Sequence, residues 1–156
     1  MFIIVSMNVV LTIDQFNKSH VYYGEPIQNI VMDNSKFIKI TYSTENVMCS
    51  GIYLSLPIKY SKHEQYYKKV RFTYDIAINN NWLAKIYDIE TDILNKYTSV
   101  KKPRKILYET LSNGSIKIFS NDEKPFVNNS NTFILKLSGI WETDIEYGVT
   151  YKLICL

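Results

Sequence analysis

The chain has 156 residues, 46% hydrophobic and 21% charged, enough apolar material for one domain with a full core and too much for a disordered chain. Five glycines, four prolines and no fixed-period repeat exclude collagen, solenoid and coiled-coil architectures. A net charge of +3 does not by itself identify a nucleic-acid partner, because small domains carry charge of this size for solubility. Thirteen Tyr, seven Phe and two Trp stand against two alanines, Ala77 and Ala84. Ala favours helices, whereas Tyr, Phe, Ile, Val and Thr suit a pleated, half-buried surface, so the composition predicts mainly β structure. Abundant Ile, Lys, Asn and Tyr also mark an AT-rich genome, which supplies part of the Tyr excess.

In chain order, residues 2–13 are apolar, lack a basic leader region and are too short to span a bilayer, so they read as a strand. Extended stretches follow at 21–23 and 27–32, broken by Gly24 and Pro26. Residues 36–42 alternate polar and apolar with period two, a strand with one wet face. Residues 47–58 form another strand, with Gly51 marking a bulge. The basic run 59–69 reads as a loop or short helix, and 70–78 as a strand. After Asn79, a fitting N-cap, Trp82, Leu83, Ile86, Ile89, Ile93, Leu94 and Tyr97 recur at spacings of three and four. This predicts a helix ended by Lys101-Lys102-Pro103-Arg104. Asn113-Gly114 sits between two strand-like runs and predicts a tight hairpin spanning 105–120. A polar loop at 121–131 leads to a second hairpin, formed by 132–141 and 147–155. About eight strands and one helix in a single domain over residues 1–156 predict an OB-like closed barrel or, alternatively, a β-sandwich.

The two cysteines, Cys49 and Cys155, have no metal-ligand spacing and suit a reduced intracellular compartment. His20 and His63 are the only histidines, and neither belongs to a nucleophile motif. No phosphate-binding loop, dinucleotide fingerprint or zinc-protease motif is present. Asp88, Glu90 and Asp92, at i, i+2 and i+4 of a helix, cannot all face one ion. The expectation is a protein that is not an enzyme and uses no metal or cofactor. Binding chemistry fits better, because single-stranded nucleic acid is held by cations along its phosphates and by aromatic faces that stack its bases. Tyr60, Tyr66, Tyr67, Phe72 and Tyr74 interleave with Lys59, Lys62, Lys68, Lys69 and Arg71, while Lys101, Lys102, Arg104 and Lys105 offer a second bank of one groove. The plainer alternative makes these Tyr residues a core wall and the Lys runs solvated loops.

The segment Phe133-Ile-Leu-Lys-Leu-Ser-Gly139-Ile-Trp141-Glu-Thr-Asp-Ile-Glu-Tyr147-Gly148-Val-Thr-Tyr151 resembles the closing hairpin of small proteins of nucleocytoplasmic large DNA viruses. Some of these are similar to phage-type single-stranded DNA-binding proteins with an OB-fold. The resemblance covers about twenty residues. It implies binding of single-stranded DNA or RNA in viral DNA replication or repair, an intracellular location in the cytoplasm or a viral factory, and Trp141 as a further stacking residue. It leaves room for a homo-oligomer or viral protein partners and implies no membrane association. Recruitment through the family's flexible acidic tail with a terminal aromatic is not expected, because the last residues read Lys152-Leu-Ile-Cys-Leu156. The competing expectation is a virion or structural β-sandwich that mediates protein contacts.

Overall fold

The computed structural model describes residues 9–119 and 132–156, so the expected loop at 121–131 and most of the first expected strand lie outside the described residues. The chain is mainly β, as the composition predicts. β1 (Val10–Thr12) leads through two 3₁₀ turns to β2 (Val21–Tyr23) and β3 (Ile27–Gln28). β4 (Lys36–Ser43) realises the alternating segment, with Ile38, Ile40 and Tyr42 buried. Gly51, at φ 85°, separates β5 (Met48–Ser50) from β6 (Ile52–Leu56). A Cβ there would lie 3.0 Å from the Leu137 carbonyl, so glycine is needed both for the turn and for the close approach.

β7 (Tyr60–Tyr66) and β8 (Lys69–Tyr74) form a hairpin, which corrects the expected loop or helix at 59–69. Helix α1 (Asn80–Lys96) follows, with Trp82, Leu83, Ile86, Ile89, Ile93 and Leu94 buried as their spacing predicts. Asn79 precedes it, but its side chain does not cap the helix. Asn79 instead bonds the backbone of Lys59 in both directions, donates to the Asp75 carbonyl and accepts the indole N–H of Trp82. The helix stops at Lys96, ahead of the expected proline signal, and Lys102–Arg104 forms β9.

The largest correction concerns Asn113-Gly114. Residues Ile106–Leu111 are a helix, α2, and not the first strand of a hairpin. Gly114, at φ 81°, takes the chain out of α2 into β10 (Ser115–Phe119), the left-handed exit common at helix C-termini. The start of α2 is fixed by a distant residue. Glu90, buried on α1, accepts hydrogen bonds from the Leu107 and Tyr108 amides at 3.0 and 2.9 Å, satisfying donors that a helix start leaves unpaired.

β11 (Phe133–Glu142) and β12 (Glu146–Cys155) form the expected closing hairpin and the centre of the larger sheet. Its order is β1-β6-β11-β12-β9, with β4 pairing the end of β11 beyond a bulge at Leu137/Gly139 and carrying β2, β3 and β5. The smaller sheet is β10-β8-β7, all antiparallel. Neither sheet closes into a barrel. Phe133, Leu135, Leu137 and Ile140 line one face of the larger sheet, and α1 packs there, the Tyr147 hydroxyl donating to the Leu94 carbonyl at 3.1 Å. The inner face of the smaller sheet joins the same core through Val70, Phe72, Ile116 and Ile118, each gaining about 1.5–3 kcal/mol by burial. No described helix is long and apolar enough to cross a membrane.

Candidate nucleic-acid interface

Strand alternation decides which of the sequence-predicted residues can meet a ligand. In the smaller sheet, register partners share a face. The inner rows are Ile118, Val70 and Gln65, then Ile116, Phe72 and His63. The outer rows are Phe119, Lys69 and Tyr66, then Lys117, Arg71 and Glu64, then Ser115, Thr73 and Lys62. The outer face therefore carries a ring, a cation and a ring side by side at one end, followed by Lys117 and Arg71 beside Glu64 and then by Lys62. With strands spaced about 4.8 Å apart, Tyr66 and Phe119 are separated by about 10 Å across the sheet, with Lys69 between them.

Contacts within the face are specific. Lys69 Nζ stands 4.8 Å from the Phe119 ring centroid, and the Arg71 guanidinium 5.7 Å from that of Tyr66. Tyr66 donates its hydroxyl hydrogen to Glu64, which also pairs with Lys62 at 3.1 Å. The Tyr66 hydroxyl, then Lys62, hold the Glu64 carboxyl below its ordinary range, so Glu64 stays ionised and neutralises Lys62. Arg71 makes no ion pair within 4 Å with a described acid, and its buried Nε has no hydrogen-bond partner among the described residues. At the hairpin tip Tyr67 adopts φ 47°, is 93% exposed and has Lys68 Nζ 5.8 Å from its ring centroid. A bulky residue in left-handed backbone is an uncommon and costly arrangement, of the kind that marks functional loops.

Other expected site residues lie elsewhere. Phe72 is 0% exposed, 4.9 Å from the Phe133 ring, and Tyr74 is buried with its hydroxyl on the Leu111 carbonyl. The shift of register at Tyr60/Lys62 turns Tyr60 inward against Phe72 and Phe133. Phe72 and Tyr74 are core rings in this structure, and Tyr60 is half-buried against that core. Trp141 is also buried, on the opposite face of the larger sheet from the main core, and lies flat on Gly148, where a Cβ would fall 2.6 Å from its Cζ2.

The two basic segments begin at opposite ends of α1. Lys59 is tied to Asn79 at the start of α1, whereas Lys101 sits 3.9 Å from Glu142, which accepts from Tyr97 just beyond the helix's other end. A helix of 17 residues separates those ends by about 25 Å. Arg104 pairs with Glu146 at 2.9 Å, Lys105 covers the Tyr87 ring at 4.1 Å, and Lys102 is exposed on β9. What the structure assembles is one bank, formed by Lys62, Tyr66, Tyr67, Lys68, Lys69 and Arg71, which Lys117 and Phe119 complete. Those last two were legible in the sequence: Ile116 and Ile118 alternate with them and point inward.

Comparison of the chain with family models, with curated proteins and with solved structures finds no match.

Proposed function

We propose that this chain is a non-catalytic single-stranded nucleic-acid-binding protein whose binding surface is the outer face of β7, β8 and β10. The observation that carries this reading is the row Phe119, Lys69 and Tyr66 beside Arg71 and Lys117: rings for bases, cations between and beside them for phosphates. Base stacking on such rings contributes about 1–3 kcal/mol per base and tolerates any sequence. A role in viral DNA replication or repair is what the resemblance of the closing hairpin adds. An OB-like barrel fits this reading in an opened form, because β10 and β12, unpaired with each other among the described residues, line the same cleft. Fluorescence anisotropy with a labelled oligothymidine at two salt concentrations tests the proposal. Binding that weakens steeply with salt is expected, and no binding at low micromolar protein in dilute salt overturns it.

A second reading, a structural protein that binds other proteins, is favoured by a different surface. Ile27, Ile30, Val31 and Met32 are exposed around an uncharged cleft of about 510 Å³ floored by Phe37 and Trp141. Exposed apolar patches of this kind mark contact sites. Concentration-dependent self-association, or co-purification with particles, abolished by Ile30→Asp/Val31→Asp would support that reading; a monomer at all concentrations that enters no particle would remove it.

A further inference from the structure

The outer face ends at a cleft that shares Lys117 and Phe119 with it. Among the described residues β10 is paired only on its β8 side, and β12 beyond Gly148 only on its β11 side. These two edges line, with no ladder between them among the described residues, a cleft of about 420 Å³, within the roughly 300–1,000 Å³ range of small-molecule sites. Its wall is apolar at Phe119 and Leu153, polar at Thr110, Asn113 and Ser115, and among the described residues no carboxylate lines it. Lys117 and Lys152 stand on its two lips.

Resting on the nucleic-acid reading, we propose that this cleft takes one nucleobase of the strand that crosses the outer face, and so reads the identity of that base. A base has apolar faces and hydrogen-bonding edges, which matches a slot with apolar walls and an amide and hydroxyls at one end. Its phosphates would remain at the lips, where Lys117 and Lys152 supply charge of the right sign. Continuity supports the same occupant: Phe119 and Lys117 belong both to the outer face and to the cleft, so a strand stacked on Phe119 passes its mouth. An extended peptide adding to the two strand edges is the other way to fill the gap. Backbone pairing needs no lysine on either lip, and two lysines that pair with no acid among the described residues favour the nucleic acid.

The test compares twelve-residue homopolymers of thymidine, deoxycytidine and deoxyadenosine on the full chain and on Asn113→Ala and Lys152→Ala, both exposed positions outside the outer face. The wild type should prefer one homopolymer by about tenfold or more, the scale of one well-made base contact. Asn113→Ala should reduce that preference to within about twofold, and Lys152→Ala should weaken the preferred strand most. Equal binding of all three homopolymers by the wild type, or a preference that survives in both variants, overturns the cleft assignment while leaving the outer face intact. A peptide-filled cleft gives that second result, with both variants matching the wild type on every strand. If no homopolymer binds at all, the failure belongs to the underlying reading.

Discussion

Replacing Lys69 and Lys117 together by glutamine tests whether the outer face carries the phosphate contacts. Both side chains are exposed and neither is ion-paired to a described acid, so the fold should lose no more than about 0.5 kcal/mol. Lys62 is already neutralised by Glu64, leaving Lys68, Lys69, Arg71 and Lys117 as the cations available to a strand. At about 0.7 per neutralised phosphate for single strands, these predict a slope of log affinity against log salt near −2.8 for the wild type. Raising salt fourfold then weakens binding about 50-fold. With two cations removed the slope should fall to about −1.4, and the same salt step should cost only about sevenfold. Anisotropy titrations of a labelled oligothymidine at several salt concentrations read both slopes, with a thermal melt of each protein as the control for folding. A slope that stays near −2.8 in a variant with unchanged melting would refute the argument, because the released counterions would then come from another surface, such as the segment Lys101 to Lys105.

Further expectations separate core from surface. Phe119→Ala should melt like the wild type yet bind oligothymidine about 5- to 150-fold more weakly, the equivalent of one lost stack. Phe72→Ala should instead lose about 3–5 kcal/mol of stability, visible as a melting temperature lower by roughly 6–20 °C. Tyr67→Gly relieves the left-handed backbone and should raise stability by up to about 1 kcal/mol while weakening binding, which melting and anisotropy together would show. Glu90→Ala strands the Leu107 and Tyr108 amides and should lower stability by about 2–5 kcal/mol in urea titrations, more than Glu90→Gln, which keeps an oxygen acceptor. Burial outweighs those two amide bonds and raises the Glu90 pKa above the ordinary 4.5, so the folded state holds the proton more tightly than the unfolded one. Its contribution is therefore greatest below the unfolded value and declines as pH rises toward the folded one. The deficit of Glu90→Ala should be larger near about pH 4 than near about pH 7.

The elements legible in the sequence are those whose periodicity is carried by their own residues. α1 shows its buried stripe from Trp82 to Leu94, and β11 and β12 show long apolar runs around a polar turn. β7 gave no such signal, because Lys62, His63, Gln65 and Tyr66 are all exposed on a strand paired along one edge, leaving no apolar alternation to read. α2 was hidden for a different reason. Its start depends on Glu90, sixteen residues before Ile106, a contact that only the packing of α1 creates, and without it Ile106 to Leu111 has the composition of a strand. The predicted site divided along the pleat: Phe72 and Tyr74 belong to the same strand as Lys69 and Arg71 but to its other side. Once β7, β8 and β10 are known to pair, alternation alone separates the two sets. What sequence could not supply was the turn of the register at Tyr60/Lys62, which sends Tyr60 inward and keeps Lys62 out.

The missing ladder between β10 and β12 also divides the molecule dynamically. The two sheets share side-chain contacts such as Phe72 on Phe133 but, among the described residues, no run of strand hydrogen bonds, so the two ladders are expected to open at different free energies. The smaller sheet can then open while the larger one stays closed, and its amides, including those of Val70 and Ile118, should exchange with deuterium ahead of those of Leu135 and Ile140. A ligand that lies across the outer face and reaches over to Lys152 would tie the units together from outside, so protection gained in β8 and β10 on binding would be a measure of how rigid the free protein is not.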